Sequence, residues 1–451
     1  MKKGMFFALA ASSLLFSACS SDDAVVSTVG QNEAVQQIVL QVASSGDGLT
    51  TRAGRPLYSS QALQTIQNVR VLIYNSKTNE IVKDAKMDWK KSATYDNHGR
   101  QLTLTYKGNN RLEAGSYKVM AVGYSDKSDY TYALDVKGQA ALTGSTYSDI
   151  TATLEAGKVA EEVFAGDAAL TIGNDKKITN LTPGDEYGLA VTLHRQVAGS
   201  FGYFCNIPAK VDGKTAKTLR LVVRDKNDKL IFNNFNSSFT EAGATGSTIK
   251  YYVNGSKSTD AALATDAQFK DGGNGYVLYS IDLNTWFPNG DENKDGLLNA
   301  EDASWNHPGD VKTQVVKGSV FGSNFVIPFN YAEGKNTMEL QLLDAENHII
   351  KTWTVSIPTA DVNKNTENGN VADASPSIFN VVRNHMYNLG VKPFNGGKTD
   401  PDPSNPDPDP KPDPDKPDPD PDKPEDLSKS QDLILKVNDN WEAIHQMELG
   451  D

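Results

Sequence analysis

Cysteine is almost missing from this chain, and so are the motifs of the common enzyme classes. The 451 residues include two cysteines, Cys19 and Cys205, so a network of disulfides cannot stabilise the fold. There is no G-x-S-x-G, no H-E-x-x-H and no glycine-rich phosphate loop, and the six histidines are scattered. These absences argue against an enzyme.

Positive charge and long repeats are also scarce. The formal net charge is -13, and residues 400–426 contribute about -8 of it, with ten Asp and one Glu against three Lys. The rest of the chain is only mildly acidic, so nothing in its charge favours nucleic acid as a partner. No repeat of 20 to 50 residues is visible, which argues against solenoids and propellers.

The first residues have the pattern of an export signal. Lys2 and Lys3 precede an apolar run over residues 5–16, which is too short to span a bilayer comfortably. The sequence then reads Ser17-Ala18-Cys19, which resembles the lipobox of bacterial lipoproteins, with Phe16 where Leu is usual. We expect Cys19 to be acylated and to anchor the precursor to the outer membrane.

Most of the remaining chain predicts an all-β protein. Short stretches rich in Val, Ile, Tyr and Thr alternate with Gly, Asn and Asp turns. Over about 340 residues this pattern favours two packed β-sandwiches, divided near residue 186. The clearest predicted strands are residues 69–74, 101–106, 117–122, 189–193, 219–223, 338–342 and 352–355.

Two short segments at opposite ends of the chain share one apolar pattern. Each places branched apolar side chains at alternate positions, which in a strand point to one face. The first is followed by Thr51-Arg52-Ala53-Gly54, a candidate protease site, and the second is preceded by a long Pro/Asp linker. The arrangement suggests a subunit that loses its first strand and is completed by the last strand of another copy. The alternating residues are Ile38, Leu40 and Val42 in the first segment and Leu433, Leu435 and Val437 in the second.

A Pro/Asp tract separates the body from the second segment. Residues 396–425 hold eleven of the twenty prolines, which cannot donate the hydrogen bonds of a helix or central strand. We expect an extended polyproline II spacer that reaches on the order of 80 to 90 Å.

Several of these pieces together resemble the fimbrillin family, the subunits of type V pili on Bacteroidia-type bacteria, and minor-type shaft fimbrillins most of all. The likeness covers residues 1 to about 395. It is carried by the lipobox at Cys19, the Arg52 site, Leu112-Glu113-Ala114-Gly115-Ser116-Tyr117-Lys118-Val119, Leu193-His194-Arg195-Gln196-Val197-Ala198 and Val382-Arg383-Asn384-His385-Met386-Tyr387.

The resemblance implies two transthyretin-like sandwiches, and an Arg-specific protease that cuts between Arg52 and Ala53. It also implies head-to-tail polymerisation with other pilus subunits in an adhesive fimbrium on the cell surface. The domains expected are a signal peptide (1–18), a propeptide with the removed strand (19–52), two sandwiches (53–186 and 187–395), a linker (396–426) and a donor tail (427–451).

Several alternatives stay open at this point. The donor could be the nearer segment at residues 391–394, and the chain could be an anchor or tip subunit instead of a shaft subunit. A different class of function is a surface lipoprotein that binds glycans through exposed aromatic side chains such as Trp286 and Trp305.

One loop has the pattern of a calcium site. Residues 291–302 carry oxygen side chains at positions 1, 3, 5, 9 and 12 of an EF-hand-like loop, with Gly296 at position 6. A dockerin would need two such loops, and the sequence has one. We therefore expect structural Ca²⁺ held by Asp291, Asn293, Asp295, the Leu297 carbonyl, Asn299 and Asp302.

Overall fold

The fold is taken from a computed structural model of the chain. It describes residues 35–42, 66–92, 94–96, 99–155, 157–182, 188–224, 226–232, 255–257, 276–309, 315–329, 338–356, 381, 383, 386–391, 423–429 and 432–438. The described residues are predominantly strands, which confirms the all-β prediction. None of the helices in this part of the chain is long and apolar enough to cross a membrane.

The strands are numbered here in chain order. The first thirteen are β1 Gln36–Val42, β2 Asn68–Asn75, β3 Ile81–Asp88, β4 Thr94–Asp96, β5 Gly99–Tyr106, β6 Gly115–Tyr124, β7 Tyr130–Tyr132, β8 Ile150–Leu154, β9 Phe164–Ile172, β10 Gly188–Arg195, β11 Ala198–Cys205, β12 Ile207–Pro208 and β13 Lys210–Val211. The others are β14 Lys214–Thr215, β15 Thr218–Val223, β16 Asn227–Phe232, β17 Gly255–Lys257, β18 Tyr276–Asp282, β19 Leu297–Leu298, β20 Ser319–Val326, β21 Met338–Leu343, β22 Ile349–Ser356, β23 Met386–Leu389, β24 Glu425–Asp426, β25 Leu433–Ile434 and β26 Lys436–Asn438. Two single helical turns are α1 Trp89–Ser92 and α2 Leu283–Trp286.

The first unit is an eight-stranded sheet folded around its own core. Its strand order is β3-β2-β6-β9-β10-β1-β5-β4. Strand β10 pairs with β1 up to Leu193 and with β9 at His194 and Arg195, so it turns the corner between the two layers. Gly166 permits this corner, because a Cβ there would lie 1.9 Å from the Thr192 carbonyl oxygen. Inward side chains from both layers form one apolar cluster.

The second unit consists of two five-stranded sheets. One has the order β20-β11-β23-β26, with β24 paired to β11, and the other has the order β18-β15-β21-β22-β25. Their inward side chains belong to a second apolar cluster, which also takes in Leu72 and Tyr74 from the outer face of β2. Alternating apolar residues on both faces of β2 therefore serve two cores at once.

The division between the two units lies later than residue 186. Strand β10, which follows that position, belongs to the first sheet, and β11 begins the second unit after Arg195. A further sheet of order β17-β16-β8-β7 pairs strands from both sides of the division. The predicted boundary near residue 186 relied on the sequence Asn180-Leu181-Thr182-Pro183-Gly184-Asp185, whose composition is typical of a turn. Such a signal does not show which sheet the next strand joins.

Candidate functional site

Strand β1 lies inside the first sheet and is held along both edges. Six of its residues pair in parallel with β10, from Gln37 with Gly188 to Val42 with Leu193. Six pair antiparallel with β5, from Gln36 with Tyr106 to Gln41 with Gln101. A strand in this position satisfies backbone groups on two neighbours, so the sheet depends on it.

The inward side chains of β1 fill the core of the first unit. Ile38 and Leu40 are fully buried in the cluster with Leu102, Leu104 and Val191. The structure places Val42 opposite Leu193 and describes only its backbone. Of the three residues predicted to form the removed strand, two are thus core residues and the third continues the same strand.

Gln36 is a buried polar residue of β1 that the sequence interpretation missed. Its Nε2 donates to the Leu112 carbonyl at 3.0 Å and to the Lys176 carbonyl at 2.9 Å. Its Oε1 accepts from the Leu112 N–H at 2.8 Å. We call these three backbone groups, the N–H and C=O of Leu112 and the C=O of Lys176, the amide clamp.

The connection from β1 to β2 contains the candidate cleavage site. Arg52 and Ala53 lie between Val42 and Asn68 and fall outside the described residues, as does Cys19. The chain order alone fixes the consequence of a cut there, because β1 would keep only noncovalent contacts with the sheet.

The C-terminal segment lies against the second unit of its own chain. Leu433 and Ile434 pair in parallel with Val355 and Ser356 of β22, and the Leu435 N–H donates to the Ser356 carbonyl at 2.9 Å. Three residues of β26 then pair antiparallel with β23, with Val437 opposite Tyr387. The segment therefore bridges the edges of the two sheets.

The side chains of this segment repeat the inward and outward pattern of β1. Leu433 and Leu435 are fully buried, whereas Ile434 between them is 43% exposed. Only the backbone of Val437 is described. The segment makes two pairs with one neighbour and three with the other, compared with six and six for β1.

The end of the predicted linker is paired with the body. Val391 and Lys423 form a bridge with hydrogen bonds of 2.8 and 2.9 Å, and β24 pairs with Phe204 and Cys205 of β11. Because of this pairing, residues 423–426 are not part of the spacer. Buried Leu427 follows them and anchors the segment. Val391, at the start of the alternative donor segment, is buried in this bridge, and Phe394 lies outside the described residues.

Cys205 lies beneath this docked segment. Its backbone carbonyl accepts from the Leu427 N–H at 3.0 Å, and its side chain is half-buried. Burial, together with the charge of Asp426, raises the pKa of the Cys205 thiol to about 11. The thiol is therefore protonated and unreactive at neutral pH while the segment stays in place.

The calcium-like loop is closed by hydrogen bonds that backbone N–H groups and an Asn side chain donate to its carboxylates. Asp291 Oδ2 accepts from the Gly296 N–H at 3.0 Å. Asp295 accepts from the Leu297 N–H at 2.8 Å and the Asn299 amide at 2.7 Å, and these bonds lower the pKa of Asp295. Fully buried Asp302 accepts from the Glu292 and Asn299 N–H groups at 2.8 and 2.9 Å.

The loop retains an oxygen that a cation would suit. Asp291 Oδ1 is shielded from solvent and accepts no hydrogen bond, an arrangement that is costly for a carboxylate. Leu297 and Leu298 form β19, which pairs with β12, so the loop is anchored to the second unit. Asn293 lies at the exposed end of the loop and donates to Asp295 at 3.1 Å. The carboxylate oxygens of Asp291, Asp295 and Asp302 do not converge within 4.8 Å of one another. The ligand set for Ca²⁺ therefore stays a prediction.

The two tryptophans offered in the glycan-binding alternative are packing residues. Trp286 is only 3% exposed and lies 6.4 Å from the Trp305 ring, centroid to centroid. Trp305 is half-buried, and its Nε1 donates to the Ser319 carbonyl at 2.9 Å. The prediction of an exposed aromatic platform was wrong because the loop that carries Trp305 folds back onto α2, where Trp286 lies.

A cluster of possible metal ligands lies in the turn between β21 and β22. Asp344, Glu346 and His348 place one ligand atom each within 4.8 Å of one another. Asp344 already accepts from the His348 N–H at 2.8 Å and lies 3.4 Å from the Lys214 Nζ. The Lys214 ammonium already lies beside the Asp344 carboxylate, so these contacts describe a closed turn.

No family model matches the sequence, and no curated protein matches it significantly. Several solved structures align with most of the chain at low TM-scores. A candidate adhesin from Bacteroides ovatus is 10% identical, with 79% of this chain and 90% of that chain covered and a TM-score of 0.40. A fimbrial assembly protein from Parabacteroides distasonis is 13% identical, with 80% and 92% covered and a TM-score of 0.33. The fimbrial anchor protein Mfa2 from Porphyromonas gingivalis is 11% identical, with 79% and 90% covered and a TM-score of 0.33.

These neighbours are described as fimbrial proteins and adhesins of Bacteroidia. Their low identities and TM-scores carry no weight for the function of this chain.

Proposed function

We propose that this protein is the shaft subunit of a cell-surface fimbrium and polymerises by exchange of a β-strand. One observation carries the proposal: β1 is an internal strand of the first sheet, yet it is joined to the rest of the sheet through the segment that contains Arg52. A single cut there turns an internal strand into a bound peptide.

Loss of β1 would leave a groove that needs another strand. Strands β5 and β10 would each have an unpaired edge, and the sites of Ile38 and Leu40 in the core would open. Unpaired backbone groups and exposed apolar surface are both costly. A strand from another chain would relieve both costs, as in donor-strand complementation.

The C-terminal segment supplies a suitable donor. Leu433, Leu435 and Val437 alternate as Ile38, Leu40 and Val42 do. Its five pairs within its own chain are fewer than the twelve that β1 makes. Because each additional backbone hydrogen bond contributes on the order of 1 kcal/mol, transfer into a vacated groove is favourable.

The groove left by β1 lies in the first unit, and the donor segment at β25 and β26 lies against the second unit. The contact between copies would therefore be head-to-tail and would extend into a filament. The proposal includes export as a lipoprotein acylated at Cys19, anchoring in the outer membrane, and release when an Arg-specific protease cuts after Arg52. It also includes two transthyretin-like sandwiches and support of adhesion by the fimbrium.

We further propose that the loop of residues 291–302 holds Ca²⁺ in a structural role. Asp291 Oδ1, which accepts no hydrogen bond, supports this assignment. A bound cation would neutralise the loop carboxylates and hold β19, which lies within the loop, against β12.

Limited digestion of the purified precursor with an Arg-specific protease tests the main proposal. We expect a species that begins at Ala53, loss of the β1 peptide, and ladders that resist mild detergent. Arg55 lies three residues beyond Arg52, so the uncleavable control is the double variant Arg52→Ala, Arg55→Ala.

The control should remain monomeric at any concentration at which the cleaved wild-type chain forms ladders. A cleaved chain that has lost β1 and keeps its tail, yet stays monomeric at high concentration, would rule out the shaft function.

A further inference from the structure

The match between the two end segments extends one inward position beyond the apolar residues. If Leu433 replaces Ile38, then Gln431 takes the position of Gln36, two residues earlier on the same face. Both segments therefore read Gln-x-apolar-x-apolar-x-Val along the inward face. A glutamine at this position is unexpected for a strand that must enter a core, unless a polar partner awaits it.

The amide clamp is that partner, and its geometry selects glutamine. Leu112 offers a donor and an acceptor, and Lys176 offers a second acceptor. A primary amide meets all three groups, since its oxygen accepts and its nitrogen donates twice. A carboxylate could accept only the Leu112 N–H, and an apolar side chain would leave all three groups without a partner.

The clamp is built from parts that do not depend on β1. Lys176 adopts a φ of +60° in the tight turn after β9, where its N–H donates to the Gly173 carbonyl at 2.9 Å. The Lys176 Nζ lies 2.6 Å from Glu113 Oε1, which joins the two walls of the clamp. Tyr117 donates to the Glu113 carbonyl at 3.0 Å and fixes the turn that carries Leu112.

We propose that the amide clamp sets the register of strand exchange by binding Gln431 of a second copy of this chain in place of Gln36. The inference rests on the proposed strand exchange and adds its register-determining residue. Apolar alternation alone cannot fix register, because a slip by two residues keeps the same face inward. A slip by two would move Gln431 away from the clamp and place an apolar side chain or Lys429 in its position.

Disulfide trapping between two copies reads the register directly. One copy carries Thr103→Cys, which faces outward on β5 opposite Val39. The other carries Asp432→Cys, Ile434→Cys or Lys436→Cys, and all copies carry Cys205→Ser. After cleavage, we expect Ile434→Cys to cross-link most, because Ile434 takes the position of Val39.

The variant Gln431→Leu should lose this preference and weaken assembly about 10-fold to 100-fold, since buried polar groups of the clamp lose their partners. Gln431→Glu should be at least as damaging. Asp432→Ala, which changes the outward neighbour, is the matched control and should behave as wild type. An unchanged cross-linking pattern and rate in Gln431→Leu would overturn the inference.

A peptide experiment separates this inference from the proposed function. Synthetic peptides of residues 428–440, with Gln431 or with Leu in its place, are added to the cleaved wild-type chain. Preferential binding of the Gln431 peptide to a chain that does not polymerise would refute the shaft function and support the clamp. Equal binding of both peptides would refute the clamp, and binding of neither would refute both.

Discussion

Glu162 and Arg195 form an ion pair that is almost wholly removed from water at the junction of the two units. Arg195 Nε lies 2.6 Å from Glu162 Oε1, and the two side chains are 2% and 0% exposed. The next residue, Gln196, accepts from Arg383 Nη1 at 3.3 Å. Two of the motifs in the fimbrillin resemblance, around Arg195 and around Arg383, therefore meet in one buried polar cluster.

Replacing Glu162 by Leu should destabilise the precursor strongly. The variant leaves the Arg195 charge buried without its carboxylate, which costs about 3 to 5 kcal/mol. Denaturant unfolding of the uncleaved chain measures this loss. Lys158→Ala removes an exposed ion pair with Asp129 and should cost less than about 1 kcal/mol. A Glu162→Leu loss as small as that of Lys158→Ala would contradict this account of the junction.

Gln36 shows what residue patterns miss. A single glutamine within a strand pattern is usually interpreted as facing solvent. The partners of Gln36, Leu112 and Lys176, are distant in sequence and use backbone groups, so no local pattern reveals them. The available signal was Gln431, in the same place relative to the second apolar segment. The Trp286 prediction was wrong for a related reason, since composition alone does not reveal which side a loop folds toward.

At the scale of elements, the local sequence pattern predicts where the strands lie but not which strands pair. The predicted strands at residues 69–74, 101–106 and 219–223 coincide with β2, β5 and β15, because alternation records burial within each segment. That β1 pairs in parallel with β10, about 150 residues away, follows from no local signal. The same limit hid the docking of β25 and β26 on their own chain.

The loop of residues 291–302 should gain stability from calcium. We expect the precursor to bind about one Ca²⁺ ion by isothermal titration calorimetry, and chelation to lower the melting temperature of the second unit, because the cation offsets carboxylate repulsion. Asp295→Asn should abolish both effects. Glu301→Gln changes the same charge at a position outside the predicted ligand set and should preserve them. Equal calcium binding by the two variants would exclude this ligand set.

At the scale of the whole molecule, the Pro/Asp tract is longer than the chain itself requires. Val391 and Lys423, which lie on either side of most of the tract, are bridge partners. A short loop could join them because bridge partners lie side by side, and a long loop costs only slightly more closure entropy than a short one. The expected reach of the tract, on the order of 80 to 90 Å, becomes useful only when the tail leaves its own chain for another.

Replacing residues 395–420 by four Gly/Ser residues should therefore separate folding from assembly. The shortened precursor should unfold at least as late in denaturant as wild type, because its docked tail is unaffected and the closing loop is shorter. After cleavage it should lose β1 and fail to form ladders, because its tail cannot reach a neighbour. A tract of unchanged length with its Pro and Asp order shuffled is the control and should polymerise.

Cys205 reports where the tail is in this experiment. With β24 docked, the raised pKa of the Cys205 thiol, about 11, should make labelling at pH 8 slower than for a free thiol, because less of the thiol is ionised. On cleavage, labelling should accelerate in the wild-type and shuffled chains as β24 leaves Cys205, and should stay slow in the shortened chain. Ladders formed by the shortened chain would show instead that the tract is not needed for reach. Ladders formed by the wild-type chain without faster labelling would show that β24 remains docked and that only the residues beyond Leu427 are exchanged.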